Sequence, residues 1–423
     1  MAATDLHRTI DAVWRIESPR LIAGLTRMVR DVGIAEDLAQ DALVTALEKW
    51  PATGMPDNPG AWLMTHAKRR AIDHLRRGRM IDRTHGHLGQ VADEENVAPD
   101  LDTALDDPVG DDLLRLMFIS CHPVLPTEGR VALTLKLLGG LTTPEIARAF
   151  LIGESTIAQR IVRAKRTLSE AQVPFEVPRP TELSQRLASV LEVIYLVFNE
   201  GYAATAGEDW LRPELCEDAL RLGRILAGLM PGEPEVHGLV ALMELQASRF
   251  RARTGPGGAP ILLLDQNRAR WDHVLIQHGL AALERAEQLG GAVGPYALQA
   301  AIAACHARAR TADETDWRRI ALLYQMLARV TPSPVVELNR AVAVAMAEGP
   351  AAGLTIVDAL VSEPALSGYH LLPEVRGDLL FKLGRLDEAR AAFEQAAALT
   401  RNARERDLLQ SRAAACAADA RPN

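Results

Sequence analysis

Leu141-Thr-Thr-Pro-Glu-Ile-Ala-Arg-Ala-Phe-Leu-Ile-Gly-Glu-Ser-Thr-Ile-Ala-Gln-Arg-Ile-Val-Arg-Ala-Lys-Arg-Thr-Leu168 decides how the chain is read. Thr142 and Glu145 have the spacing of a capping box, and Pro144 suits the first helical turn. Ile146, Ala147 and Phe150 give that short helix an apolar face. Gly153 marks a turn and can stand as the next N-cap. In the second helix Ile157, Ile161, Ala164 and Leu168 recur at helical spacing, which makes one buried stripe. Thr156, Gln159, Arg160, Arg163 and Arg166 then face outward. From 155 to 168 there are four basic residues (Arg160, Arg163, Lys165, Arg166) and no acid. A capped helix, a turn and a basic second helix make a helix-turn-helix sized for a DNA major groove. Its candidate contacts are Ser155, Thr156, Gln159, Arg160, Arg163, Lys165 and Arg166. Arginine reads guanine edges or binds phosphates, and the sequence leaves both open.

Upstream, residues 60–79 form a second basic helix. Leu63, Ala67, Ala71, Ile72 and Leu75 make its buried side. Lys68, Arg69, Arg70, Arg76, Arg77 and Arg79 surround a single acid, Asp73. Such a helix suits a phosphate backbone, where counterion release drives binding, although a solvated basic face is an equal alternative. Earlier still, the apolar helix Ile34–Trp50 carries an acid and amide patch, Glu36-Asp37-Leu38-Ala39-Gln40-Asp41. Alone, that patch reads as surface charge near a helix N-terminus, where the dipole favours it. Pro51, Pro56 and Pro59 break the chain, and the next helix runs from near Gly60 to about Arg77.

Composition sets the frame. The 423 residues are 48% hydrophobic and 24% charged, with only 4% aromatic. Few aromatic residues and much Ala, Leu and Arg favour helices over strands, so an all-α fold is expected. No window reaches the ~18 uninterrupted apolar residues of a membrane span. Asp5, His7, Arg8 and Asp11 interrupt any signal-peptide core. A cytoplasmic protein without a membrane partner is expected. Cys121, Cys216, Cys305 and Cys416 form no C-x-x-C, which argues against a disulfide framework or a zinc site. His122 beside Cys121 reads as local packing. There is no nucleophile–base motif, paired catalytic carboxylate or metal cluster, so no catalytic residue, metal or cofactor is expected.

Net charge is −8 but segregated: +2 over residues 1–80, −9 over 81–112, +4 over 113–170 and −5 over 171–423. Two basic blocks flank an acidic connector, a local pattern that favours nucleic acid where the total does not. The expected domains are 1–79, an acidic flexible linker over 80–111, the helix-turn-helix domain over 112–173, and a helical domain over 181–418. Pro174, Pro178 and Pro180 mark the last boundary. In that last domain Gly377, Leu380, Gly384, Ala389, Phe393 and Ala396 fall at the spacings of a ~34-residue tetratricopeptide-like repeat, with Phe393 filling the gap between repeats. Gly-Pro-Gly-Gly at 255–258 reads as a solvated loop, because no strand precedes it and no Gly-Lys-Ser/Thr follows. Asp265, Arg268, Trp271 and Asp272 read as a hydrogen-bond network between domains, with a structural role.

The acidic patch, the basic helix and the helix-turn-helix, in this order, resemble the sigma-70 family of RNA polymerase initiation factors, and within it the extracytoplasmic function (ECF) group. The resemblance covers about residues 1–172. It implies that Asp37, Leu38, Gln40 and Asp41 grip the clamp helices of the core RNA polymerase largest subunit. It implies that the 61–77 helix opens and reads the −10 promoter element, with Trp62, Lys68, Arg69, Arg70, His74, Arg76 and Arg77 as contacts. It implies that the helix-turn-helix reads the −35 element. Many ECF members carry Ala-Arg-Asn in the −10 helix; here Ala67-Lys68-Arg69 puts Arg69 at the Asn position. Arginine only donates, whereas an amide donates and accepts, so the −10 sequence does not carry over.

Residues 181–418 resemble the helical extension of an ECF subgroup with tetratricopeptide-like C-terminal domains. Phe198-Asn-Glu-Gly-Tyr202, Leu211-Arg-Pro-Glu-Leu-Cys-Glu-Asp-Ala219 and Asp265-Gln-Asn-Arg-Ala-Arg-Trp-Asp272 carry that likeness. The extension is expected to modulate activity, by restraining the basic faces or by adding a needed contact, and leaves room for a signal protein or ligand as a further partner. The nine acids from Asp93 to Asp112 suit either a strand threading the polymerase's nucleic-acid channel or a plain spacer. Two other classes stay open: an operator-binding factor that acts without polymerase, and a helical scaffold whose basic helices are structural.

Overall fold

The computed structural model describes residues 3–85, 109–150, 152–202, 212–255, 261–290, 293–400 and 402–419. Among them are nineteen α-helices and no β-strand, so the fold is all-α as composition suggested. The chain divides into two compact units, residues 1–194 and 195–423. No helix of the described residues is long and apolar enough to cross a membrane.

In the first unit α1 (Ala3–Val29) packs against α2 (Val32–Thr53), α3 (Pro59–His85) and α4 (Val109–Ser120). Asp31 starts α2, its carboxylate accepting the Ile34 N–H at 2.9 Å. Ala35, Leu38, Ala39, Ala42, Ala46 and Trp50 form one buried side at helical spacing. The helix runs through Pro51 rather than stopping there, because a proline in the last turn forfeits only its own donor. Gly54, at φ +80°, ends it. Asn58 caps α3 by accepting the Ala61 N–H at 3.0 Å. This helix continues to His85, past the expected end near Arg77. Residues 78–85 hold no proline, and the one glycine there costs only about 1 kcal/mol. Most of the acidic linker lies outside the described residues.

The helix-turn-helix follows α5 (Thr127–Leu137) as α6 (Thr143–Phe150) and α7 (Glu154–Glu170). Its capping box is formed: Thr142 N–H donates to Glu145 at 2.7 Å, and Glu145 N–H to Thr142 Oγ1 at 3.4 Å. Ile157, Ile161, Ala164 and Leu168 are the buried stripe of α7. The next helix, α8 (Pro180–Tyr202), contributes its first half to this unit, since the division falls between Ile194 and Tyr195. Arg186 donates to the Phe118 carbonyl at 2.9 Å and Ser189 Oγ to the Cys121 carbonyl at 2.6 Å. Both carbonyls lie at the C-terminal end of α4, where a helix leaves acceptors unpaired.

The second unit continues with α9 (Pro213–Leu229), α10 (Pro234–Ala247), α11 (Phe250–Arg253), α12 (His273–Gln288), α13 (Pro295–Arg308) and α14 (Trp317–Val330). Helix α10 has buried residues around most of its circumference and packs against α9, α12 and α13. A Cβ on Gly238 would stand 2.7 Å from the Ala297 nitrogen, so only glycine admits this approach to α13. The 265–272 cluster lies inside this unit rather than between domains, because its partners come from the residues that follow it. Asp272 caps α12, Arg268 donates to the Ala309 carbonyl and Thr315 Oγ1 at 3.1 Å each, and its guanidinium lies 4.8 Å over the Trp271 ring.

Helices α15 (Pro334–Glu348), α16 (Pro350–Leu360), α17 (Leu371–Lys382), α18 (Leu386–Leu399) and α19 (Ala403–Asp419) pack each on the next, turning at Gly349 and Gly384. Phe393 sits inside the α17–α18 hairpin rather than between repeats. A Cβ on Gly377 would meet its ring at 2.9 Å, and the Arg412 guanidinium of α19 lies 4.4 Å from the ring centroid. All four cysteines are buried free thiols.

Candidate nucleic-acid interface

The basic second helix of the motif presents most of the expected face. Ser155, Thr156, Gln159, Arg163 and Arg166 are exposed on α7, and Arg160 is half-buried. Arg166 Nε reaches Glu170 at 2.7 Å, an exposed pair of small energetic weight. The apolar stripe fixes which side these residues take, because it docks α7 on α5 and α6.

Lys165 points elsewhere. It pairs with the carboxylate of Glu36 on α2, which is only 3% exposed. Lys136 of α5 stands 3.6 Å from the same carboxylate, and Gln40 Nε2 donates to it at 2.7 Å. Glu36 is therefore no surface charge: it is a buried acid joining α2 to α5 and α7. Two further ion pairs tie α1 to α6 and to α4. Arg15 of α1 pairs with Glu145, and Asp112 of α4 accepts from Arg115 at 2.8 Å and lies 3.3 Å from Arg27. Burial alone would raise the Glu145 carboxyl. Hydrogen bonds from Thr142 and the Arg15 guanidinium outweigh it and hold the group below its ordinary range. Gly140, at φ +71°, brings its backbone against Arg15; a Cβ there would lie 3.3 Å from the Arg15 Cα.

Along α2, Asp37, Gln40 and Asp41 are exposed, while Leu38 is buried. Asp41 takes Arg70 of α3 at 2.6 Å, so an expected polymerase contact and an expected DNA contact are each other's partners here. Arg69, His74, Arg76 and Arg77 of α3 are exposed and Lys68 is half-buried. Burial, then the Arg27 charge, push the Lys68 amine down, with Asp112 opposing. Trp62 is packed on two sides. His66 stacks on it at 3.7 Å and 22°, and the Trp50 ring meets it edge-on at 5.3 Å and 66°.

The structure thus collects basic side chains on α3 and α7 and places an acid and amide edge on α2. The bridging roles of Glu36 and Asp112 are not in the sequence reading. Glu36 stood in the acidic patch and Asp112 among the linker acids, and nothing local separates a bridging acid from a solvated one. No group of three or more His, Cys, Asp or Glu that could hold a metal occurs among the described residues.

Three family models match the chain: Sigma-70 region 2 over residues 14–80, Sigma-70, region 4 over 115–168, and a family of unknown function (DUF6596) over 186–287. An uncharacterized protein of Rhizobium meliloti strain 1021 is 45% identical over 390 residues, which is 92% of this chain and 91% of that one. The probable ECF RNA polymerase sigma factor SigI of Mycobacterium tuberculosis is 32% identical over 176 residues, 40% of this chain and 58% of SigI. The ECF RNA polymerase sigma factor SigK of Mycobacterium bovis is 30% identical over 153 residues, 35% of this chain and 78% of SigK.

Proposed function

This chain belongs to the extracytoplasmic function group of the sigma-70 family, a group of transcription initiation factors, and we propose that its helices divide promoter recognition as follows. Helix α2 docks on the clamp helices of core RNA polymerase through Asp37, Leu38, Gln40 and Asp41. Helix α3 takes the −10 element with Trp62, Lys68, Arg69, Arg70, His74, Arg76 and Arg77, holding unpaired bases by stacking and phosphates by charge. Helix α7 takes the −35 duplex in the major groove with Ser155, Thr156, Gln159, Arg160, Arg163, Lys165 and Arg166. The chain acts as a non-catalytic specificity subunit in the cytoplasm.

The observation that carries this reading is the exposed face of α7 behind a formed capping box, with Arg163, Gln159 and Ser155 clear of the stripe that anchors the helix. The pairing of Lys165 with Glu36 adds a step. Lys165 becomes available to DNA only when α7 leaves α2, so −35 binding through this residue opens that junction. The unit 195–423, a tetratricopeptide-like helical array in this reading, modulates that activity in response to a signal protein or ligand.

Gel filtration of the full chain with core RNA polymerase tests the first claim. Co-elution, followed by polymerase-dependent transcripts from a promoter library, is expected. A chain that binds duplex DNA alone and never co-elutes overturns it.

A further inference from the structure

Within the second unit, α8, α10, α13, α14 and α15 converge on a cavity of about 530 Å³. That volume lies in the range of pockets for small ligands. Its lining includes apolar side chains (Leu242, Ile302, Leu327) and four carboxamides, among them Asn199, Gln246 and Asn339. Among the described residues no acid lines it, and Arg249 is the one lining residue with a permanent charge. Arg249 donates to the Tyr202 hydroxyl and pairs with no carboxylate among the described residues.

His306 supplies the second, independent observation. It is 8% exposed, lines the cavity, and its Nδ1 is buried without a hydrogen-bond partner. Buried polar atoms are nearly always paired, so an unpaired nitrogen on a residue of the cavity wall can take a guest as its partner once the wall adjusts. Burial first, then the charges of Arg249 and Arg268, drive the ring's pKa down to about 3, which keeps it neutral. A neutral imidazole offers one donor and one acceptor rather than a second positive charge.

We propose that this cavity binds a small monocarboxylate that carries amide groups, the chemistry of a short peptide with a free C-terminus. The carboxylate pairs with Arg249 and takes a hydrogen bond from His306 Nδ1. The carboxamides of Asn199, Gln246 and Asn339 both donate and accept, which matches peptide N–H and C=O groups. A phosphate dianion fits poorly, since one guanidinium and one neutral imidazole leave most of its charge uncompensated. As a signal input to transcription this rests on the regulatory reading above; the binding itself does not.

The test is equilibrium dialysis of the full chain against an equimolar mixture of tripeptides with free C-termini, and against the same mixture with amidated C-termini. Retention of the free acids at least tenfold above the amides is expected. Inorganic phosphate at equal concentration should displace less than a tenth of them. Arg249→Gln should lower retention at least tenfold. Because Arg249 also lies 5.8 Å over the Trp271 ring, the second variant is Asn339→Asp, at an exposed helical position. It puts a negative charge in the lining and should lower retention at least fivefold with an unchanged thermal midpoint. Equal retention of acids and amides, displacement by phosphate, or full retention by Asn339→Asp overturns the proposal. Adding the retained peptides to transcription assays is a separate arm. Binding without any change in transcripts removes the regulatory reading and leaves the binding site standing.

Discussion

Lys165, on the helix that carries the DNA-binding face, is ion-paired with Glu36 of α2, a buried acid 129 residues earlier in the chain. Glu36 is too deeply buried for the Lys165 ammonium to reach DNA while it stays paired. If Lys165 meets a −35 phosphate as proposed, the pair sets a choice between a closed junction and that contact.

Glu36→Gln tests that choice. The substitution leaves Lys165 and Lys136 facing each other without their shared acid. Breaking a buried pair in this way costs about 3 kcal/mol, seen as an earlier urea transition of the residues 1–194 unit. Duplex −35 binding by the full chain should rise severalfold as α7 is released. Lower stability with unchanged DNA binding would show that the junction does not restrain α7.

Arg163 is exposed on the same helix and has no part in the junction. Arg163→Ala should leave the melting curve within about 0.5 kcal/mol of the parent. DNA affinity should fall. If Arg163 meets a phosphate, the slope of log K against log salt shrinks by about 0.9; if it meets a base edge, sequence preference relaxes by about 1–3 kcal/mol at one position. Unchanged affinity and slope would remove this residue from the interface.

Truncation is sensitive to where it is made. Ending at Val177, at the proline-marked boundary, removes Arg186, Ser189 and Glu192. These satisfy the Phe118 and Cys121 carbonyls and pair with Arg130 at 2.9 Å. Each net hydrogen bond is worth about 1 kcal/mol, so residues 1–177 should unfold about 2–3 kcal/mol more easily than residues 1–194. Equal stability would mean α8 gives that unit nothing.

His306 predicts an acid response. Its folded pKa of about 3 lies below the ordinary 6.5, so the unfolded chain binds this proton more readily. The stability tied to the neutral ring is complete above pH 6.5 and is lost progressively as pH falls toward 3. The full effect approaches about 5 kcal/mol. His306→Gln, which cannot take the proton, should flatten the pH dependence of unfolding between those values. A parallel pH profile for the variant would refute the assignment.

Gly377→Ala puts a methyl group 2.9 Å from the Phe393 ring. Overpacking of this kind costs about 1–3 kcal/mol. Thermal unfolding should shift down, whereas Gly368→Ala, which has open space around it, should be near neutral.

Much of this molecule was legible because its signals are local. The capping box at Thr142 and Glu145 and the stripe from Ile157 to Leu168 are set by residues within two helical turns, and both formed as read. The Trp271 segment was read as joining domains, whereas its partners Thr315 and Ala309, some forty residues on, lie in the same unit. What joins distant segments was not readable. A buried Glu36 looks like its exposed neighbour Asp37 until Lys165 and Lys136 arrive beside it. The proline cluster before α8 marked a break in the helix, not a break in packing, so the role of Arg186 and Ser189 in closing α4 stayed hidden. The cavity around His306 needs five helices at once, and no spacing rule in one dimension assembles them.

The four sequestered thiols give the chain an internal recorder. Cys121 belongs to the first unit; Cys216, Cys305 and Cys416 belong to the second. Burial pushes the Cys121 thiol up to about 11 and raises Cys216 and Cys305, so at neutral pH none of these three presents a thiolate. A maleimide pulse therefore leaves the native molecule unlabelled and tags each sulfur only when its surroundings come apart. Read by mass spectrometry, the order of tagging would time the opening of each unit separately, in an unsubstituted chain that needs no attached dye.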